Sequence, residues 1–91
     1  MFNKMNITPT FLAILAQLAG DPMREFYQRE IAEEAEVSLG SANQLLKDLV
    51  DREIIILEKR GKMFFYRINL NNPVARHFKI LFNVMHLDDL V

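Results

Sequence analysis

Turns and chain breaks divide this sequence into short segments, each with its own apolar spacing. Residues 8–19 place leucine and phenylalanine side chains at helical spacing, with Thr8 as a candidate N-cap and Gly20 just past the end. After a break at residues 21–22, residues 28–35 place isoleucine and alanine on one side and glutamate on the other. This part of the chain therefore predicts two helices.

A turn at residues 36–37 leads into a third predicted helix. That helix covers about residues 38–52, with Ser38 as its N-cap. Two β-rich runs follow, residues 54–59 and 63–69, and the Arg-Gly-Lys sequence between them has the composition of a hairpin turn. The middle of the chain therefore predicts a helix followed directly by a β-hairpin.

The chain closes with one more helical segment. An Asn-Asn-Pro sequence at residues 71–73 is a further break, and helical spacing resumes over about residues 73–87. The predicted order is helix, helix, helix, strand, strand, helix, which is a mainly α fold with a β-hairpin (α+β). The sequence contains no internal repeat, low-complexity run or linker. We therefore expect residues 1–91 to form a single domain.

Two short helices joined by a tight turn and followed by a β-hairpin resemble a winged helix-turn-helix. Residues 28–57 resemble the stretch shared by MarR-type and ArsR-type winged-helix regulators, in which an Ile-Ala helix, a Val-Ser turn and a recognition helix lead into Leu-Ile on the first wing strand. Residues 65–68, Phe-Tyr-Arg-Ile, are similar to the second wing strand of that group. Residues 66–82 are similar to small archaeal winged-helix proteins, some of them joined to nucleotidyltransferase domains, whose motif is missing from this sequence.

The resemblance implies a protein that binds double-stranded DNA. It places the recognition helix, about residues 38–52, in the major groove and the wing, residues 59–67, in the minor groove or along phosphates. One position departs from the pattern, because these families usually end the recognition helix with glycine and this chain has Glu53. A left-handed cap formed by another residue costs about 1 kcal/mol or more. We therefore expect either a different helix end or a strained loop.

The outer face of the third helix carries small and amide side chains instead of stronger helix formers. Gly40 and Ser41 permit close approach to base edges, Gln44 brings the amide group that pairs with adenine, and Lys47 can reach a phosphate or a guanine. The alternative is a helix start rich in capping residues with a solvated glutamine. The DNA contacts predicted on this helix are Ser38, Gly40, Ser41, Asn43, Gln44 and Lys47.

Basic residues cluster at the hairpin. Three cations around Gly61 suit the negative potential of a minor groove or a row of phosphates. The alternative is that the same charges keep exposed strands soluble and block edge pairing. The DNA contacts predicted on the wing are Lys59, Arg60, Lys62 and Arg67.

The last helix is apolar over well over half of its circumference, which one small domain cannot cover alone. We interpret this excess as a homodimer interface. The alternative is a winged-helix core that wraps the helix on two sides. The interface residues predicted are Val74, Phe78, Leu81, Phe82 and Met85.

Composition narrows the function less than the motifs do. The net charge of −1 gives no general attraction to nucleic acid, and the glutamates of the second helix, expected to form a solvated face, offset the basic wing. The absence of cysteine removes disulfides and thiolate metal sites. No run approaches the roughly 18 apolar residues that span a membrane. We therefore expect a soluble, cytoplasmic protein without a membrane partner.

Catalytic chemistry has no basis in this sequence. His77 and His86 lie on one predicted helix at a spacing that turns them to different faces. The sequence has no glycine-rich phosphate loop and no nucleophile motif. We therefore predict a protein that is not an enzyme and that binds no metal and no cofactor.

Two functions compete at this point. The first is a homodimeric transcriptional regulator that binds double-stranded DNA with sequence specificity. The second is a winged-helix adaptor that binds a protein partner and no DNA, which the net charge and the single lysine of the recognition helix favour. A third function, an enzyme subunit with a ligand pocket, has no motif in its support.

Overall fold

Four helices and three strands make up the described part of the chain. A computed structural model describes the backbone of residues 7–90 and the side chains of residues 7–83. The predicted order is confirmed, with one short strand added after the first helix. Over these residues, every helix is too short or too polar to cross a membrane. In chain order the elements are α1 (Pro9–Gly20), β1 (Phe26–Tyr27), α2 (Gln28–Ala35), α3 (Leu39–Asp51), β2 (Ile55–Arg60), β3 (Met63–Ile68) and α4 (Pro73–Leu90).

The core is formed by the apolar sides of α1, α2 and α3 and by one face of the sheet, and α4 adds Ala75 to it. Thr8 begins α1 as predicted, since its side chain accepts a hydrogen bond from the backbone N–H of Phe11 at 3.1 Å. Each fully buried large apolar side chain contributes about 1.5–3 kcal/mol to folding. The largest fully buried side chains come from α1, α2, α3, the turn after α3 and the sheet: Phe11, Ile14, Leu15, Leu18, Ile31, Leu46, Leu49, Ile54, Ile55 and Ile68.

The strands form one antiparallel sheet in the order β1-β3-β2. Side chains alternate between a face that packs on the helices and an outer face. Tyr66 lies on the packed face, between Phe26 of β1 and Leu57 of β2, and burial raises the pKa of Tyr66. Strand β1 was not predicted from the sequence, because a strand of 2 residues has no periodicity and is defined only by its pairing with β3.

Two asparagines join the end of α3 to the start of α4. Asn72 caps α4, since its Oδ1 accepts hydrogen bonds from two backbone N–H groups of the first turn at 2.7 and 3.2 Å. Its Nδ2 donates to the carbonyls of Arg52 at 3.2 Å and Glu53 at 3.0 Å. The Nδ2 of Asn69 also donates to the Glu53 carbonyl, at 2.9 Å. The break predicted at residues 71–73 therefore fixes α4 against the end of α3.

The chain leaves α3 through a left-handed turn at Glu53, where φ is 60°. Glu53 N–H donates to the carbonyl of Val50 at 2.9 Å and Ile54 N–H donates to that of Leu49 at 3.0 Å, the two hydrogen bonds of a Schellman cap. Glu53 thus forms the left-handed cap at the position where the resembling families usually have glycine, and the strain expected of this loop stays a prediction. The residue after α2, Glu36, is also left-handed, with φ of 58°.

Replacing Glu53 by glycine is expected to stabilise the protein. A residue other than glycine pays about 1–2 kcal/mol to adopt the left-handed backbone conformation, and the change removes this cost. The larger conformational entropy of glycine in the unfolded chain offsets about 0.5–1 kcal/mol of the gain. Urea unfolding should therefore show a free energy of unfolding higher by roughly 0.5–1 kcal/mol. The control is Glu34→Gly on the exposed side of α2, which should lose about 1 kcal/mol. A lower free energy of unfolding in Glu53→Gly would contradict the prediction that the left-handed backbone at Glu53 is strained.

Candidate nucleic-acid interface

The exposed side of α3 carries the small and polar side chains that the sequence analysis selected. Gly40, Ser41, Gln44 and Lys47 are exposed, and Asn43 is half-buried. Helical spacing places the four exposed residues on one side of α3, with Asn43 at its border. We call these four residues the α3 outer face.

Ser38 serves as the predicted helix cap. Its Oγ accepts a hydrogen bond from the backbone N–H of Ser41 at 3.1 Å and donates one to the Ser41 Oγ at 3.0 Å. The Ser38 hydroxyl is therefore engaged in capping α3. Ser41 is exposed and does not cap the helix, so it is the better placed of the two for a contact outside the protein.

Charge changes along the length of α3. Lys47 is the single basic residue within this helix. Asp48 and Asp51 follow, and Asp48 forms an ion pair with Arg52 at 3.0 Å. A phosphate backbone is repelled by this acidic end and meets no such charge at the N-terminal half. The electrostatics therefore favour a nucleic-acid contact through the N-terminal half of α3.

Gly40 leaves open space on the α3 outer face. A Cβ added at this position would meet nothing closer than the Oγ of Ser38 at 4.0 Å. The position is a right-handed helical one, where alanine is more favourable than glycine by about 0.5–1 kcal/mol. Folding alone therefore gives no reason for a glycine here.

The wing is the hairpin of β2 and β3, and its Arg60 is held by other groups of the protein. Arg60 forms ion pairs with Glu25 and with Glu58, the second at 3.3 Å. Its guanidinium lies over the ring of Phe65, 4.0 Å from the centroid. The hydrogen bond to Glu25 raises the pKa of Arg60. These contacts compete with a phosphate, so Arg60 has an internal role that the sequence did not predict.

Lys59 and Lys62 are the exposed wing cations that form no ion pair among residues 7–83. Lys62 lies in the turn beside Gly61, whose φ of 61° is a conformation that glycine adopts at low cost. Arg67 is half-buried farther along β3. The predicted wing cations are therefore two exposed lysines without an ion pair, an exposed arginine held by ion pairs and a half-buried arginine.

Large apolar side chains are also exposed on the wing, and the sequence analysis missed them. The exposed fractions are 45% for Phe64, 46% for Met63 and 39% for Leu57. Leu57 and Phe64 lie on the same face of the sheet as the buried Tyr66. Leu57 is paired with Tyr66 but belongs to the edge strand β2, and Phe64 lies two residues nearer the turn. The alternation of side chains along a strand indicates on which face of the sheet each one lies, but not how far the helices extend over that face.

One side of α4 packs against α1 and another side is exposed. Phe78 makes an edge-to-face contact with Phe11, with ring centroids 5.8 Å apart. Leu81 is exposed, as is Ile80, and the side chain of Met85 lies outside the described residues. The predicted interface set is therefore divided between the core and the surface. Its members that pack against the core of their own chain are Val74, Phe78 and Phe82.

The glutamates of α2 border a cleft of about 380 Å³ between the end of α1 and α2. Arg24 in this cleft forms an ion pair with Glu30 at 2.8 Å, and its guanidinium lies 4.3 Å from the ring centroid of Phe26. Glu33 and Glu34 also line the cleft. Within the part of the chain that the structure describes, no group of three or more potential ligand side chains is arranged to hold a metal ion. The cleft is acidic and disfavours an anionic partner.

No protein-family model and no curated protein matches the sequence. Solved structures match the fold. The adhesin competence repressor of Streptococcus pyogenes matches with a TM-score of 0.72 and 15% identity, over 97% of this chain and 63% of that one. A predicted DNA-binding transcriptional regulator from E. coli matches with a TM-score of 0.71 and 26% identity, over 85% of this chain and 78% of that one.

A third similar structure is the homodimeric winged helix-turn-helix DNA-binding domain Mb0332 of Mycobacterium bovis, a possible ArsR-family regulator. It matches with a TM-score of 0.65 and 23% identity, over 89% of this chain and 70% of that one. The chain thus spans less than two thirds of the streptococcal repressor. The predicted α+β winged helix-turn-helix fold is confirmed, and these structural neighbours are transcriptional regulators.

Proposed function

We propose that this protein is a homodimeric transcriptional regulator that binds double-stranded DNA with sequence specificity, and that residues 1–91 form one DNA-binding domain. In this proposal α3 lies in the major groove and the wing lies on the minor groove or its phosphates. The observation that carries the proposal is the α3 outer face, which is small and uncharged at its N-terminal half. The DNA-binding regulators among the structural neighbours support it. A MarR-type or ArsR-type subgroup, a likeness to archaeal proteins and a cytoplasmic location stay predictions.

The side chains of α3 have different proposed roles: some contact the DNA, and one positions the others. Gln44 is the proposed base reader, because its exposed amide can donate to and accept from adenine at once. Ser41 donates to a phosphate or a base, and Lys47 meets a phosphate or a guanine. Asn43 is proposed as a contact at the border of the face. Ser38 acts mainly through the cap that positions Ser41.

The wing side chains hold the phosphate backbone in this proposal. Lys59 and Lys62 are the exposed cations that form no ion pair among residues 7–83, and each contributes a sequence-independent contact that salt weakens. Arg67 is proposed as a third contact, restricted by its partial burial. Arg60 is proposed to act by bracing the hairpin through its ion pairs, with a phosphate contact only where DNA displaces Glu25.

The dimer is proposed to form through α4, over about residues 73–87. Leu81 is 51% exposed and Ile80 is 57% exposed. Leu12 of α1 is also exposed, and α1 packs against α4, so exposed apolar side chains occur on both helices of this pair. The homodimeric state of Mb0332 supports this arrangement. The proposed interface set stays as predicted from the sequence: Val74, Phe78, Leu81, Phe82 and Met85.

An adaptor that binds a protein partner is the second candidate function. The acidic end of α3 and the internal pairing of Arg60 reduce the positive charge available to DNA. The net charge of −1 also favours this function. In this case the exposed apolar side chains of the wing bind the partner.

A larger side chain at Gly40 is expected to block DNA binding without unfolding the protein. Gly40→Ala should raise the free energy of unfolding by up to about 1 kcal/mol, because the added Cβ meets open space. Gly40→Leu should also fold and should lose most DNA binding, because the leucine holds α3 away from the groove. Gel shifts on random duplex DNA at two salt concentrations measure the binding.

Gly20→Leu is the matched control for this experiment. Gly20 ends α1, and an added Cβ there meets nothing within 4 Å, so the variant should bind DNA like the wild type. If Gly40→Leu is folded and also binds like the wild type, α3 does not contact the DNA and the adaptor function replaces the proposal.

Gln44→Ala is expected to remove sequence preference and to leave general affinity. Removing a base contact costs about 1–3 kcal/mol on a preferred duplex and almost nothing on random DNA. Lys62→Ala should instead weaken binding to both duplexes alike and lower the salt slope by about one for each phosphate that the lysine no longer binds. Fluorescence anisotropy on a duplex selected by the wild type and on its scrambled version measures both effects. Equal losses on the two duplexes for Gln44→Ala would mean that Gln44 reads no base.

Leu81→Glu is expected to produce a folded monomer. Leu81 is exposed within its own chain, so a charge there leaves the fold intact, whereas burial of that charge in a dimer is unfavourable. The matched control is Asn83→Glu, because Asn83 is also exposed but lies on the other side of α4 and should leave the dimer unchanged. Light scattering measures the mass of each variant. A wild-type protein that remains monomeric at high concentration would remove the dimer from the proposal.

A further inference from the structure

The two faces of the wing differ in their chemistry. On one of them, which we call the closed face, the ring of Phe65 is covered by the guanidinium of Arg60 and lies 4.9 Å from the ring of Tyr27. On this side Met63 borders a cleft that two glutamates of α2 also line. On the closed face the ring of Phe65 is therefore covered by protein groups, and the exposed Met63 lies beside carboxylates, which repel an anionic partner.

The other face, which we call the open face, carries Leu57, Lys59 and Phe64. The strand register places Lys59 directly opposite Phe64, in the second residue pair from the turn. The Lys59 Nζ lies 5.6 Å from the ring centroid, and the Phe64 side chain is 45% exposed. The open face thus presents an aromatic ring to solvent beside a cation, close to the tip of the hairpin.

We propose that Phe64 is a wedge that inserts between base pairs from the minor groove and bends the DNA. The proposal rests on the DNA-binding function above and adds the class of target, a duplex with a flexible pyrimidine–purine step beneath the wing. Minor-groove proteins use phenylalanine and other apolar side chains in this way, partly unstacking a base step and kinking the duplex. Pyrimidine–purine steps unstack at the lowest cost.

The charges of the wing favour duplex DNA as the occupant of the open face. Lys59 lies across the strand pair from Phe64, and Lys62 lies in the turn, so a ring inserted between base pairs has a lysine on either side to meet phosphates. An apolar protein surface would leave these lysines without acceptors, and their desolvation would oppose its docking. The combination of an exposed ring and flanking cations therefore points to a nucleic acid.

A wedge needs a stiff support, and the closed face supplies one. Arg60 connects the end of β2 to Glu25, which directly precedes β1, and to Glu58 on its own strand. Its stacking on Phe65 joins β2 to β3. A hairpin that is held in one conformation before binding loses less entropy when it inserts.

Bending is measured by energy transfer between dyes at the two ends of a duplex that the wild-type protein selects from a randomised pool. The wild type is expected to bend this duplex by about 20–90°. Phe64→Ala should bind the duplex with less than half of that bend and should lose the preference for a pyrimidine–purine step over a purine–purine step. Leu57→Ala, on the same open face and 39% exposed, is the matched control and should keep the wild-type bend.

Lys62→Ala distinguishes phosphate binding from DNA bending. The variant should lower the salt slope of binding by about one for each phosphate that the lysine no longer binds, and it should leave the bend angle of the DNA unchanged. Circular dichroism shows that each variant is folded, and Phe64→Gln, which keeps the reach of the side chain but is polar, is measured beside Phe64→Ala. A wild-type bend in a folded Phe64 variant, or a straight wild-type complex, overturns the wedge and leaves the DNA-binding proposal intact. A wild-type protein that shifts no duplex in a gel overturns both.

Discussion

The end of α3 sets the orientation of α3, the wing and α4 relative to one another. A left-handed turn at Glu53 directs the chain from α3 into β2, and the carbonyl of Glu53 accepts hydrogen bonds from Asn69 at 2.9 Å and Asn72 at 3.0 Å. Asn72 also caps α4. The left-handed conformation costs about 1–2 kcal/mol. The hydrogen bonds, at about 0.5–1.5 kcal/mol each, offset that cost. One short turn therefore fixes the orientation of α3, the wing and α4 relative to one another.

Local charge pairs explain why the net charge says little about the surface. Each arginine that forms an ion pair in the described structure has an acidic partner that neutralises it: Arg24 with Glu30, Arg52 with Asp48, and Arg60 with Glu25 and Glu58. The exposed lysines of α3 and the wing, Lys47, Lys59 and Lys62, form no ion pair among residues 7–83. The electrostatic character of each surface therefore depends on which carboxylate lies next to each cation and not on the total charge.

The size of the domain explains the exposed apolar side chains. Hydrophobic residues are 51% of the sequence, and a small domain buries a smaller share of its surface than a large one. The core formed by α1, α2, α3 and the packed face of the sheet covers one side of α4 and the base of the wing. Leu81 on α4 and Phe64 on the wing lie beyond that cover. At these two positions, the exposure of an apolar side chain reflects an element that extends past the core.

Local signals were sufficient for the four helices, the hairpin and the α3 outer face, because periodicity, caps and turn composition act over a few residues. Thr8 and Ser38 cap their helices as predicted for that reason. Contacts between distant segments decided the rest. Strand β1 exists through its pairing with β3, Arg60 is held by Glu25 from a separate part of the chain, and the exposure of Phe64 depends on where the covering helices end. These features are set by the three-dimensional packing of elements, which no short stretch of sequence contains.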